Sequence, residues 1–170
     1  MAFFRIKKIK NKQGKIYSYA YLVENKWKGS KKTGKQAKQK VKAYLGKVFK
    51  FSQVNEKEFN SYHQIEDTSN YLKQREMRGI VRDLIEWEIH KHDIHPSFFN
   101  ADNFKINYKG KDVAIKINEG YMCNHTLSKL INFKINEDEE VGYSLAKVFV
   151  DAGINVPKEL FVKIFEKITN

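Results

Sequence analysis

Positive charge in this chain is concentrated in a stretch whose side chains alternate with the two-residue period of β-strands, and that pairing narrows the folds open to it. Residues 1–50 hold fifteen lysines and one arginine against a single acid, Glu24, for a formal charge of +15. The other 120 residues carry −3, so the whole excess of +12 lies in the first third. Its densest part, KWKGSKKTGKQAKQKVKAYLGKV over residues 26–48, has nine lysines and no acid. Aromatic and β-branched residues recur between these charges, which argues against disorder.

FFRIKKI at 3–9 alternates weakly, and NKQGK supplies a hairpin turn. From Ile16 the alternation is clear: Tyr17, Tyr19, Tyr21 and Val23 fall on one side, and Ile16, Ser18, Ala20 and Leu22 on the other. After a second turn at KGSKKTGK, Val41, Ala43 and Leu45 alternate with Lys40, Lys42 and Tyr44. The pattern predicts three antiparallel strands with one small apolar face and one face of tyrosine and lysine. Lysines neutralise phosphates and release counterions, aromatic rings stack on bases, and a β-ribbon is narrow enough for a major groove. The candidate contacts are therefore Lys31, Lys32, Lys35, Lys38, Lys40 and Lys42 for phosphates, with Tyr17, Tyr19, Tyr21, Trp27 and Tyr44 for bases or groove walls.

The pairing of YLVEN at 21–25 with QKVKAYLGKV at 39–48 resembles the N-terminal segment of insertion-sequence transposases of the DDE type. There, a strand ending in a Leu-Val-Glu-like triplet precedes a basic strand closing with Leu-Gly-Lys or Leu-Gly-Arg. Over residues 3–50 the resemblance implies a small β-rich element associated with DNA. The rest departs from that family, being too short for its ribonuclease-H-like catalytic domain and lacking its three spaced carboxylates.

Beyond the basic third, residues 51–66 read as a linker or docking segment, with Phe51, Val54 and Phe59 available to dock. Asp67, Thr68 or Ser69 caps a helix whose apolar residues, Leu72 through Ile89, recur at helical spacing to about His92, before Pro96 forbids continuation. A hairpin follows, NFKINY, KGKD and VAIKINEGYM, then a helix starting near Asn124 or Thr126. Two further helices are expected, from about Glu139 to Asp151 and from Pro157 onward. The predicted fold class is α+β: an N-terminal three-stranded antiparallel sheet (1–50), then a helix-rich body with one β-hairpin and a C-terminal helical hairpin (67–170). Residues 137–170 hold seven acids against four lysines, which suits a protein partner or homodimer better than a DNA-recognition helix.

EWEIHKHDIH is the densest cluster of ligating types, and Glu88, His92 and His95 are its candidate metal ligands. On a continuous helix His90 and His92 point about 200° apart, so the expectation is a polar helix terminus with no metal. Cys123 and His125 are a nucleophile and base only if a third group orients them; the ordinary reading is a buried thiol beside a helix start. No phosphate-binding loop, dinucleotide fingerprint or paired-cysteine zinc pattern occurs, and no cofactor is expected. One cysteine and no apolar run of membrane length predict a soluble cytoplasmic protein with no membrane partner. The expected function is non-enzymatic binding of nucleic acid, duplex DNA first, with low sequence specificity because only Arg5 among the first fifty residues is an arginine. Structured RNA or ribosome binding, a metal-dependent nuclease centred on Glu86–His95 and an oligomeric assembly adaptor stand as alternatives.

Overall fold

The computed structural model describes residues 2–30, 34–135 and 140–169, with side chains throughout except at 27–30 and 34–37. Lys31 and Lys32 lie outside the described residues, and so do the side chains of Trp27 and Lys35.

Three long strands open the chain: β1 (Ala2–Lys10), β2 (Ile16–Ser30) and β3 (Gly34–Lys50). The first turn is held by Asn11, whose side-chain oxygen accepts from the amides of Gln13 (3.0 Å) and Lys15 (2.8 Å). These strands are antiparallel, but they do not form a sheet of their own. The last residues of β3, Lys47–Lys50, pair in parallel with Val113–Lys116 of β6 (Lys111–Ile117). Strands β4 (Phe99–Asn100) and β5 (Lys105–Tyr108) continue outward from β6, and β7 (Gly120–Met122) pairs with it as well. The three-stranded antiparallel sheet of the sequence reading is thus corrected to part of a seven-stranded mixed sheet, and the single hairpin of the body to four strands. Parallel pairing of segments more than sixty residues apart requires a crossover whose two ends carry no local signal of each other.

Gly46 sits at this junction, with φ +115. A Cβ there would lie 2.3 Å from the Asp112 carbonyl oxygen, so only glycine lets β3 approach β6 this closely.

The crossover holds α1 (Phe59–His63), α2 (Thr68–Gln74) and α3 (Met77–Lys91). Asp67 caps α2 by accepting from Ser69 N (2.8 Å) and Asn70 N (3.3 Å). The expected single long helix is broken at Arg75, whose backbone is extended. The break brings Tyr71 and Arg75 back onto Asp83 of α3: the Tyr71 hydroxyl donates to its carboxylate at 2.8 Å, and the Arg75 guanidinium lies at 3.4 Å. Neither proline nor glycine marks that point, so the tertiary contact decides it.

Helices α4 (Asn124–Ile131), α5 (Val141–Asp151) and α6 (Lys158–Thr169) complete the body. The main core gathers Ile80, Leu84 and Ile85 of α3 with Val113, Ile115 and Ile117 of β6 and Leu145 and Phe149 of α5. A smaller cluster on the opposite face of the sheet joins Ala20, Leu45 and Val48 to Ala114 and Cys123, with Phe4, Ile6, Leu22, Ala43 and Tyr121 packed around it. Phe4 stacks on Tyr121 at 5.5 Å and meets His125 edge-on at 6.1 Å. Through this face the basic strands are anchored to the body.

Candidate nucleic-acid interface

Two bulges in β3 decide which side chains the basic strands present. Ala20 pairs with Gly46 but Tyr21 with Tyr44, and Leu22 pairs with Ala43 but Val23 with Val41, so Leu45 and Lys42 are each one residue extra. Each extra residue reverses the alternation once. Tyr44 therefore joins the side of Tyr19 and Tyr21, its ring 6.3 Å and 5.4 Å from theirs. Lys40 stands opposite Glu24 on the other side, and Lys42 pairs with Glu24 at 3.3 Å. The expected mixed face of tyrosine and lysine is thereby separated into two.

The tyrosine face is the same side of the sheet that carries Phe49 into the main core, where its ring meets Phe98 and Tyr108 at 5.4 Å each. Further along, Tyr44 is 56% exposed and Val41 57%, while Tyr17, Tyr19 and Tyr21 are half-buried, Tyr19 and Tyr21 beside the Tyr44 ring. Lys47 Nζ lies 4.4 Å from the centre of the Tyr17 ring and 5.2 Å from that of Phe49. From β1, Lys7 stands opposite Tyr19 and Arg5 opposite Tyr21. The Arg5 guanidinium reaches across β2 to hydrogen-bond the Gln39 side chain, passing the level of Val23, which is buried. Burial, followed by the neighbouring Tyr19 and Tyr21 hydroxyls, raises the Tyr44 hydroxyl above the ordinary tyrosine range.

On the other side, β2 and β3 run on together past the end of β1. The last residue of β2 that pairs with β1 is Glu24; from Asn25↔Gln39 to Ser30↔Gly34 the two strands form a ribbon about 20 Å long. Lys26 and Lys38 are directly opposed there, and both are exposed. Directly opposed like charges destabilise a sheet. Among the described residues the Glu24–Lys42 pair is the one ion pair of the first fifty. Hydrogen bonding and charge from Lys42 hold the Glu24 carboxyl below the usual range. Among the described residues Lys26, Lys38 and Lys40 form no ion pair, although Lys40 stands opposite Glu24 and Lys26 helps draw the Glu24 carboxyl down. Lys7, Lys26 and Lys47 are not among the contacts expected from the sequence, and Arg5 enters there only as the one arginine of the first fifty residues. The Leu45-Gly46 bulge that turns Lys47 toward Tyr17 is signalled only by that glycine.

The histidine-rich helix end is arranged otherwise than a ligand set. Glu88 is fully buried, and its carboxylate accepts from Asn155 N (2.9 Å), Asn118 Nδ2 (3.1 Å) and Lys91 Nζ (3.3 Å). His92, also buried, places Nδ1 2.9 Å from the Glu88 backbone oxygen and 3.4 Å from its carboxylate. His95 instead caps the 3-10 turn Pro96–Phe98, with Nδ1 accepting from Ser97 N at 3.2 Å. His90 stacks on Tyr62 at 4.8 Å. Among the described residues no group of three or more His, Cys, Asp or Glu side chains is placed to hold a metal ion. Cys123 is buried, which raises its thiol, and its Sγ lies 3.6 Å from Thr126 Oγ1. Burial, and then Lys129, push the His125 imidazole down, and its Nε2 is buried without a hydrogen-bond partner among the described residues.

Among the described residues no helix is long and apolar enough to cross a membrane. Comparison of the chain with known protein families, with curated proteins and with solved structures found no match.

Proposed function

We propose that this chain is a non-enzymatic nucleic-acid-binding protein that grips the phosphates of duplex DNA with low sequence specificity through the β2–β3 ribbon and its lysine side. The observation that carries this reading is the opposition of Lys26 to Lys38 in a ribbon projecting past β1, with Lys40 beside it and one acid in the first fifty residues. Cross-strand like charge weakens an isolated ribbon, and a polyanion laid along it reverses the sign of that interaction. A two-stranded ribbon also has the width a major groove admits. The resemblance of residues 3–50 to the transposase N-terminal segment supports DNA as the polymer, and lysine in place of arginine supports contacts to phosphate over readout of bases.

The test is fluorescence anisotropy of labelled duplex DNA and hairpin RNA with the full chain and with a Lys26→Gln, Lys38→Gln, Lys40→Gln variant. Duplex DNA is expected to bind, and the variant to bind at least about tenfold more weakly at moderate salt. Equal binding by variant and parent overturns the ribbon as the grip. Tighter binding of the RNA overturns duplex DNA as the polymer.

A further inference from the structure

Resting on the nucleic-acid reading, we propose that the face formed by Tyr17, Tyr19, Tyr21 and Tyr44 is a stacking platform for the unpaired bases of a single strand, separate from the lysine side that grips duplex phosphates.

The geometry begins with the strand period. Successive same-side residues of β2 are about 6.8 Å apart, twice the 3.4 Å separation of stacked bases, so the row repeats at a distance that two base steps match. Tyr44, across on β3, widens this row into a surface, at 5.4 Å from Tyr21 and 6.3 Å from Tyr19. The rings are tilted by 40° and 55° to one another, so Tyr44 does not close over its neighbours as a flat stack would. More than half of Tyr44 is open to solvent, although the same side of the sheet is filled by the main core only a few residues away at Phe49.

Cations are placed where a backbone stacked over this row runs. Lys47 lies over Tyr17, and β1 sets Lys7 opposite Tyr19 and Arg5 opposite Tyr21. Lys7 and Lys47 thus flank the row from β1 and β3, and the Arg5 guanidinium crosses it at the level of Val23 to reach Gln39. Stacking on aromatic side chains between cationic margins is the general mode by which single strands are held without sequence preference. Duplex DNA keeps its bases stacked inside and offers this surface no ring to take up, whereas the lysine side is indifferent to pairing. The two β3 bulges keep these functions on opposite sides of one sheet.

The experiment compares oligothymidine and duplex DNA binding to the full chain, to a Tyr19→Leu, Tyr44→Leu variant and to the three-lysine variant. The tyrosine variant is expected to lose about tenfold or more in affinity for oligothymidine, while duplex binding stays within about twofold. Because leucine substitutions can disturb the sheet, ring-labelled tyrosine NMR of the unaltered chain is the second readout: oligothymidine shifts the Tyr19 and Tyr44 ring protons upfield, and duplex does not. Unchanged oligothymidine affinity in the variant, or ring shifts as large with duplex, overturns the platform while leaving the phosphate grip standing. If neither polymer binds the unaltered chain, the nucleic-acid reading falls and the platform with it.

Discussion

Glu88→Gln changes no volume and removes one charge, yet it is expected to be among the most damaging substitutions in the body. Glu88 is fully buried and collects donors from three places: Lys91 on its own helix, Asn118 in the β6–β7 turn and the Asn155 amide between α5 and α6. A glutamine there keeps one acceptor oxygen and turns an NH₂ toward groups that are themselves donors. Each hydrogen bond to a charged group contributes about 1.5–3 kcal/mol, and leaving one partner of a buried ion pair unmatched costs about 3–5 kcal/mol. The Lys91 ammonium, 7% exposed, is left in that position. We expect a loss of about 3–5 kcal/mol from a total on the order of 5–15 kcal/mol. For a chain of this size that is a fall in Tm of roughly 6–20 °C. The assay is urea unfolding followed by far-ultraviolet circular dichroism, with Glu88→Gln compared to Glu88→Gln, Lys91→Met. Removing both charges is expected to recover part of the loss, since a buried pair exchanged for apolar packing is often neutral. A single variant within about 1 kcal/mol of the parent, or a double variant no better than the single, would falsify the account of Glu88 as the charged tie between α3, the β6–β7 turn and the α5–α6 loop.

Gly46→Ala is expected to destabilise the junction of β3 with β6, because the added Cβ meets the Asp112 carbonyl at 2.3 Å and φ is +115; hydrogen exchange at Val48–Lys50 should speed up first. Lys38→Glu replaces a repulsive pair with an attractive one opposite Lys26 and is expected to raise ribbon stability by about 0.2–1 kcal/mol while weakening DNA binding. Melting and anisotropy on the same variant check both signs, and unchanged binding would count against the ribbon. His125 has its imidazole pushed down by burial, so its protonated form is disfavoured in the fold; stability is retained above the ordinary histidine range and declines as pH falls below about 6.5. Melting scans from neutral to mildly acidic pH should show that decline in the parent and less of it in His125→Phe.

Local signals in this chain are easy to read, and long-range ones are not. Tyr17 to Val23 alternate because the strand period leaves them no other arrangement, and Asp67 precedes its helix because its oxygen satisfies amides nothing else reaches. Hidden from inspection were the events that depend on partners distant in sequence. Lys47–Lys50 meet β6 across a crossover, so β3 is not the edge of a small sheet. The bulges at Lys42 and Leu45 separate lysine from tyrosine, although the residues themselves alternate regularly. Arg75 breaks a helix to reach Asp83, and Glu88, one of several acids in EWEIHKHDIH, is consumed by donors from Asn118 and Asn155. The lysine and tyrosine candidates were visible by composition; their division between two faces was not. Because β3 is the neighbour of β6, deleting residues 1–50 would strip the body sheet, so substitutions of charge are the sounder control for binding.

The measurement closest to the central proposal is the dependence of duplex-DNA affinity on salt, for the full chain and for the Lys26→Gln, Lys38→Gln, Lys40→Gln variant. A phosphate grip predicts that log K falls linearly with log salt, at a slope of about −0.9 for each phosphate neutralised, and that the variant's slope is shallower by roughly two to three such units. A slope near zero in the parent, or one identical in the variant, would contradict the assignment of the ribbon lysines to phosphates.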